Sequence, residues 1–161
     1  DIEDEDTAEN LFKKLNISGV KLMNETLDLL EKGTIISKPQ QGTPTFCSVF
    51  KKEDGRINWK KPADEIRNIF RGLILWPGIF CIVKDGKLSG KTLKILDCRT
   101  VECESNLPEG TIVCVKKGVG FIVKCAVGGL LVTKVQPESK GQMTACDFIN
   151  GYGISSGSML I

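Results

Sequence analysis

Histidine is absent from the 161 residues of this chain. Its absence excludes histidine general acid–base catalysis, Ser–His and Cys–His nucleophile pairs and histidine metal ligands within the chain. No run approaches the roughly 18 apolar residues that a transmembrane helix needs. The acidic start, residues 1–6, lacks the basic and then apolar layout of a signal peptide. We therefore expect neither a membrane anchor nor secretion.

A phosphate-binding glycine loop is also missing. The stretches Gly118-x-Gly120 and Gly128-Gly129 lack the Gly-x-Gly-x-x-Gly form and do not open a helix. Hairpin turns explain them better, because glycine reaches the backbone conformations that tight turns require. The paired carboxylates Asp64-Glu65 and the lone Asp85 fall at a helix start and a turn, where solvated roles are the default.

The cysteine pattern is typical of a reduced, cytoplasmic protein. The chain has seven cysteines, an odd number, and none forms a Cys-x-x-Cys pair. Cys81, Cys114 and Cys125 lie inside apolar, strand-like runs, where a thiol acts as a small buried hydrophobe. The nearest pair, Cys98 and Cys103, lacks partners for a metal or catalytic site, so its spacing is attributed to chance.

Composition and charge indicate a globular chain with two unlike parts. Hydrophobic residues make up 41% and charged residues 26%, and the length fits one domain or one domain plus a piece of another. Residues 1–38 carry 5 Lys/Arg against 9 Asp/Glu, whereas residues 39–161 carry 17 against 11. An acidic head and a basic body favour different partners for the two parts, although an arbitrary division of any chain gives some imbalance.

The first 38 residues predict two helices and a short strand. Asp6–Glu9 has the form of a capping box, and an apolar stripe follows to Leu15. Asn16–Gly19 breaks this pattern before a second stripe from Val20 to Leu30, and Lys32-Gly33 is a helix stop. Thr34–Ser37 fits a short strand. These apolar faces lack partner surface of their own, so we expect residues 1–38 to be the end of a domain that begins earlier.

A polar linker and a β-rich domain are expected next. The Pro/Gly composition of residues 39–58 predicts a linker, and residues 59–161 predict the second domain. One helix should follow Trp59, with Ala63, Ile66, Ile69 and Phe70 on its apolar face and a stop at Gly72. About five short apolar runs separated by turns then predict a small closed β-barrel, since a sandwich needs more strands. Thr144–Asp147 predicts the cap of a short terminal helix.

The basic residues of the linker and the barrel are the candidate site. Lysines at hairpin tips can contact phosphates, although they also keep sheet edges soluble. Trp59 and Trp76 bracket the helix; packing against the barrel is the favoured role for both, and base stacking is the alternative. The candidate nucleic-acid-binding residues are Lys51, Lys52, Arg56, Lys60, Lys61, Arg67, Arg71, Lys84, Lys87, Lys116, Lys117 and Lys140.

Several stretches, in order, resemble the methionyl-tRNA formyltransferase family. Trp76–Phe80, beginning Trp-Pro-Gly, is the most specific when joined to the linker pattern. Asn58 departs from the family, which usually has Asp before the tryptophan. The stretches that carry the resemblance are Glu5–Leu15, Lys38–Gln40, Gly42–Phe46, Lys52–Trp59, Ala63–Gly72, Trp76–Phe80, Val135–Gly151 and Gly157–Leu160.

The resemblance implies a mainly β fold with helices: a small OB-like C-terminal barrel preceded by a helical remnant of a Rossmann-like α/β catalytic domain. That family transfers a formyl group from 10-formyltetrahydrofolate to the amino group of methionyl initiator tRNA in translation initiation. The catalytic and folate-binding residues lie in the catalytic domain, so no catalytic, cofactor or metal residue is assigned here. Of the basic residues, only Lys52 and Arg56 match basic linker positions of the family. The expected partners are initiator tRNA and the catalytic domain, in a monomer.

Two other functions remain open on the sequence. A 10-formyltetrahydrofolate hydrolase or dehydrogenase shares this architecture, although Trp76–Gly78 and Lys140–Phe148 fit the tRNA enzyme better. A free-standing nucleic-acid-binding barrel without enzyme activity is the third possibility. The apolar helical head argues against it, because those faces need a partner domain.

Overall fold

The computed structural model describes residues 1–161, which form two compact units, Asp1–Phe50 and Lys51–Ile161. The division falls inside the predicted linker, because residues 51–58 already belong to the second unit. No helix combines the length and the apolar character needed to cross a membrane.

The first unit contains one long helix, α1, from Ala8 to Glu31. The two predicted helices are therefore wrong: the helix runs through Asn16–Gly19, where a glycine costs only about 1 kcal/mol and the apolar stripe continues on both sides. The N-cap is Thr7 and not Asp6, the cap position of the predicted capping box; the Thr7 hydroxyl accepts the Asn10 N–H at 3.3 Å. The predicted strand at residues 34–37 does not form either, since no neighbouring strand is there to pair with it.

The second unit begins with a 3-10 turn, Lys52–Gly55, where the sequence predicted more linker. Gly55 is buried, and a Cβ added there would lie 2.1 Å from the Gly78 carbonyl oxygen. The Ile57 N–H then donates to the Phe80 carbonyl oxygen at 2.8 Å, next to the parallel bridge between Arg56 and Phe80. These contacts attach residues 51–58 to the barrel.

The predicted helix after Trp59 is α2, Ala63–Leu73, which buries Ala63, Ile66 and Phe70 on one face. Gly72 lies inside its last turn and does not stop it, because glycine at an exposed helical position lowers stability without ending the helix. Its start is fixed by the Ala63 N–H, which donates to the Val127 carbonyl oxygen at 3.0 Å.

Six antiparallel strands follow: β1 Ile79–Ile82, β2 Thr92–Val101, β3 Ile112–Lys116, β4 Gly120–Lys124, β5 Gly129–Pro137 and β6 Met143–Thr144. Their spatial order is β1-β2-β5-β4-β3, with β6 paired to β5. The predicted β-rich fold with helices is thus confirmed. The predicted terminal helix is α3, Ala145–Tyr152, and its N-cap is Thr144, whose hydroxyl accepts the Asp147 N–H at 3.1 Å.

Residues 158–161, which we call the closing segment, complete the ring of strands. This segment lies between β1 and β3, the two outer strands of the sheet. On one side, the Ile161 N–H donates to the Ile82 carbonyl oxygen at 2.8 Å, and the Ile82 N–H donates back at 2.6 Å. On the other side, the Leu160 N–H donates to the Gly110 carbonyl oxygen at 2.8 Å. The barrel therefore has no open edge between β1 and β3, and its interior is filled by side chains such as Phe121, Phe148 and Leu160.

All seven cysteines are free thiols, and Cys81, Cys98 and Cys125 are buried in the second unit. Burial raises the pKa of each of these three thiols to about 12, with the nearby Asp97 carboxylate adding to the effect on Cys98. Cys114, predicted to be buried like Cys81 and Cys125, is only half-buried. The three buried thiols act as small core hydrophobes.

We expect these three thiols to resist modification in the folded protein. A thiol reagent at mildly alkaline pH should label Cys47 and the half-buried Cys103, Cys114 and Cys146 first, because only thiolates react and burial suppresses thiolate formation. Mass spectrometry of the time course should show three protected cysteines that react only after denaturant is added. Equal rates at all seven positions would contradict this core.

Candidate nucleic-acid interface

The outer face of β1, β2 and β5 carries a row of four neighbouring side chains. Strand register pairs Phe80 with Lys94 and Lys94 with Gln136, and the parallel bridge places Arg56 beside Phe80. Paired residues project to the same face of a sheet. The row therefore presents two cations, one aromatic ring and one amide on the outside of the barrel.

A groove of about 430 Å³, which we call the Trp76 groove, lies over Phe80, Lys94 and Gln136 of this row, with Arg56 outside its lining. Its walls include Trp76 and Lys52 as well as Phe80, Lys94 and Gln136. Trp76 keeps 57% of its surface exposed, whereas Trp59 keeps only 5%. The favoured packing role is therefore confirmed for Trp59 and wrong for Trp76, because Trp76 lies in the turn between α2 and β1, where its ring extends past the core.

The electrostatics of the groove are positive. Neither the Lys52 nor the Lys94 ammonium group makes an ion pair. The carboxylate in the lining, Glu138, accepts the Thr92 N–H at 3.1 Å and pairs with Lys91 at 3.2 Å. The Thr92 N–H and then Lys91 hold the pKa of Glu138 below its usual value. Its charge is thus compensated locally, and the groove favours an anion.

The remaining predicted cations lie at other places around the barrel. Lys60 and Lys61 adjoin the β4–β5 turn, where the Ala126 N–H donates to the Lys61 carbonyl oxygen at 3.2 Å. Lys61 also pairs with Glu65 at 3.2 Å. Lys51 adjoins Lys52 in the chain, and the Lys140 carbonyl oxygen accepts from the Gln136 side chain at 3.0 Å, so both lie close to the groove.

Four of the predicted lysines surround α3 and the closing segment. The Lys87 ammonium donates to the Gly151 carbonyl oxygen at 3.2 Å, and the Lys84 ammonium contacts the Met159 sulfur at 3.6 Å. At the other end of α3, the Lys116 carbonyl oxygen lies 3.9 Å from the Cys146 sulfur, and Lys117 follows in the exposed β3–β4 turn. None of these four lysines lines the Trp76 groove. Their contacts are with α3, the closing segment and the β3–β4 turn.

Arg67 and Arg71 lie one turn apart on α2, as their spacing predicted, and both are half-buried. The Arg71 guanidinium donates to the Asn68 side-chain oxygen at 3.1 Å. Arg67 lies close enough to Cys98 on β2 to act against the rise in the pKa of that thiol. Both arginines therefore contact their own domain as well as solvent.

Sequence reasoning missed Lys94 and assigned Trp76 to the core. Lys94 stands in an alternating strand, where an outward lysine has no distinguishing feature. Its importance comes from its cross-strand neighbours, Phe80 and Gln136, and those are set by pairing between distant segments. The one local sign at Trp76 was its position before a Pro-Gly turn, which places a side chain outside regular structure.

The fold and the groove define a small antiparallel β-barrel domain with covering helices and a cationic, aromatic outer face. The chain belongs to the family described as Formyl transferase, C-terminal domain, which it matches over residues 50–153. It is 44% identical to methionyl-tRNA formyltransferase of Endomicrobium trichonymphae over 94% of this chain and 49% of that protein. It is 40% identical to the enzyme of the same name from Thermodesulfovibrio yellowstonii, over 97% of this chain and 48% of that protein. The chain thus spans about half the length of the curated relatives it matches.

A solved structure shares the fold. A variant of HypX from Aquifex aeolicus superimposes with a TM-score of 0.66 over 92% of this chain and 26% of that one, at 13% identity. A second HypX structure, with a TM-score of 0.60 at 15% identity, was determined in complex with tetrahydrofolic acid. At these identities the likeness concerns the fold alone.

Proposed function

We propose that this chain is the tRNA-docking part of a methionyl-tRNA formyltransferase. In that enzyme, a catalytic domain outside residues 1–161 transfers the formyl group of 10-formyltetrahydrofolate to the amino group of methionyl initiator tRNA, in the cytoplasm. The 44% identity to a protein of that name, over nearly the whole chain, is the observation that carries the proposal. The excess of 17 Lys/Arg over 11 Asp/Glu in residues 39–161 supports it.

The barrel acts by positioning the substrate. Cations on its surface contact the phosphates of the acceptor side and the inner elbow of the tRNA, which brings the aminoacyl end to a distant catalytic site. Phosphate contacts fix the register and orientation of a nucleic acid without reading its sequence. Holding a reactant in place in this way lowers the entropic part of the barrier.

The exposed apolar side chains of α1 support a further domain in the proposed enzyme. Along α1, the apolar side chains Leu15, Val20, Met23, Leu27 and Leu30 are all exposed. A monomeric soluble protein rarely leaves so continuous an apolar stripe in water. In the proposed enzyme, the rest of the catalytic domain covers this stripe.

The affinity of the chain for initiator tRNA should fall steeply with salt. Each phosphate contact makes the slope of log K against log salt steeper by about 0.7–0.9. The double variant Lys51→Glu/Lys52→Glu should therefore make the slope shallower by about 1.5. Fluorescence anisotropy with labelled tRNA across a salt series measures this slope. The matched control is Lys21→Glu/Lys32→Glu on the exposed surface of the first unit, which should leave it unchanged.

Two results would contradict the proposal. Binding that is insensitive to salt in the wild-type chain would remove the phosphate-contact mechanism. A full-length protein that consumes 10-formyltetrahydrofolate without formylating methionyl initiator tRNA would instead point to the hydrolase or dehydrogenase.

A further inference from the structure

The Trp76 groove combines three kinds of group that together suit a nucleotide. Trp76 supplies an exposed indole face, Lys52 and Lys94 supply cations without ion-pair partners, and Gln136 supplies an amide. We propose that this groove binds one unpaired nucleotide of the tRNA, with its base stacked on Trp76, its base edge at Gln136 and its phosphate between Lys52 and Lys94. The inference rests on the proposed function, because it names which part of the tRNA this face holds.

The stacking surface is Trp76. An indole is the best side-chain platform for a base, since its face is large, apolar and rich in π-electrons. Because 57% of the Trp76 surface is exposed, the ring is not buried in the core and is free to contact a base. Phe80, half-buried beside it, extends the apolar wall of the groove.

The phosphate site follows from the charges. Lys52 comes from the 3-10 turn that precedes the barrel and Lys94 from the first part of β2, so two rigid elements direct them to one groove. Because Glu138 is compensated by Lys91 and the Thr92 N–H, the uncompensated charge of the groove is that of the two lysines. A phosphodiester carries the negative charge that pairs with these two lysines, whereas a neutral or cationic ligand does not.

Gln136 keeps hydrogen-bonding capacity for a base. A glutamine amide has two N–H donors and one carbonyl oxygen. One N–H donates to the Lys140 carbonyl oxygen at 3.0 Å, which fixes the orientation of the side chain. The second N–H and the oxygen remain for a base edge, which offers donors and acceptors side by side.

The surroundings favour a polynucleotide over a free nucleotide. Arg56 lies two strands from Lys94 in the same row, a separation of roughly 10 Å at ordinary strand spacing. Lys51 and Lys140 lie beside the groove as well. Cations that continue beyond one phosphate match a backbone that continues beyond one nucleotide.

The test compares Trp76→Ala and Trp76→Phe by anisotropy with labelled initiator tRNA over a salt series. Loss of stacking in Trp76→Ala should weaken binding roughly 5- to 100-fold, whereas Trp76→Phe should retain most of the affinity. Because stacking releases no counterions, the salt slope of both variants should equal that of the wild type. The matched control is Leu75→Ala, whose side chain is also 57% exposed and which should bind like the wild type. Thermal unfolding should be similar for all of these proteins, since these side chains are outside the core.

The outcomes separate this inference from the function it rests on. Salt-sensitive tRNA binding that Trp76→Ala leaves unchanged would overturn the groove and keep the docking function. Absence of salt-sensitive tRNA binding in the wild-type chain would overturn both. A second titration follows quenching of tryptophan fluorescence by AMP. One outcome would assign the groove to a free nucleotide and overturn the proposal: AMP quenches the wild type but not Trp76→Ala, while Trp76→Ala binds tRNA as tightly as the wild type.

Discussion

Replacing Gly110 with alanine is expected to open the barrel and to lower the free energy of unfolding of the second unit by about 3–5 kcal/mol. Gly110 has a φ of +86°, and a Cβ there would lie 2.2 Å from the Leu160 carbonyl oxygen and 3.0 Å from the Trp59 ring. The oxygen belongs to the backbone of the closing segment, so it cannot rotate away as a flexible side chain would. Relief requires residues 158–161 to shift, which breaks the hydrogen bond from the Leu160 N–H to the Gly110 carbonyl oxygen.

The control for this prediction is Gly118→Ala. Gly118 has a φ of +74° but no heavy atom within 4 Å of the added Cβ, so it isolates the cost of the left-handed backbone. That cost should be about 1 kcal/mol. Urea unfolding followed by far-ultraviolet circular dichroism gives both values. Similar small losses in the two variants would show that the closing segment does not pack against Gly110.

Truncation of Phe148 should strongly destabilise the second unit. Phe148 is fully buried at 0% exposure, and its ring lies 6.2 Å from that of Phe121 and 5.6 Å from that of Tyr152, centroid to centroid. It is the largest of the three buried side chains of α3, with Ala145 and Ile149, that cover the barrel interior. Phe148→Ala should cost about 3–5 kcal/mol, the sum of lost apolar burial and the cavity left behind.

The same measurement on Phe46→Ala supplies the comparison. Phe46 lies in the first unit with 92% of its surface exposed, so its truncation should change the stability of the second unit by a few tenths of a kcal/mol at most. Thermal unfolding should show a fall of about 15 °C or more for Phe148→Ala and almost none for Phe46→Ala. Equal transitions in the two variants would mean that α3 is dispensable for the barrel.

The secondary structure of the second unit was predictable because its signals are local. Alternating apolar residues separated by Asp85-Gly86, Lys117-Gly118 and Gly128-Gly129 define the strands without reference to tertiary contacts. Thr144 and Asp147 define the start of α3 in the same way. The first unit shows where local signals mislead, because Asn16 and Gly19 weaken a helix only slightly when the apolar stripe continues past them.

The closing segment and the Trp76 groove could not be predicted, since both depend on segments far apart in the sequence. Nothing in residues 158–161 indicates that they pair with Ile82 and Gly110. The groove likewise needs the register of β1, β2 and β5, which places Lys94 between Phe80 and Gln136. Periodicity shows that a residue faces outward, but it does not show which residues stand next to it.

The position of the closing segment also bears on how this domain folds during synthesis. Its partner in β1, Ile82, leaves the ribosome almost 80 residues before Ile161. Once Lys116 has also emerged, the polypeptide carries two strands, β1 and β3, whose outer backbone groups have no hydrogen-bond partner, a state that invites pairing with other chains. The barrel therefore cannot close during synthesis until residues 158–161 have emerged and paired with both outer strands.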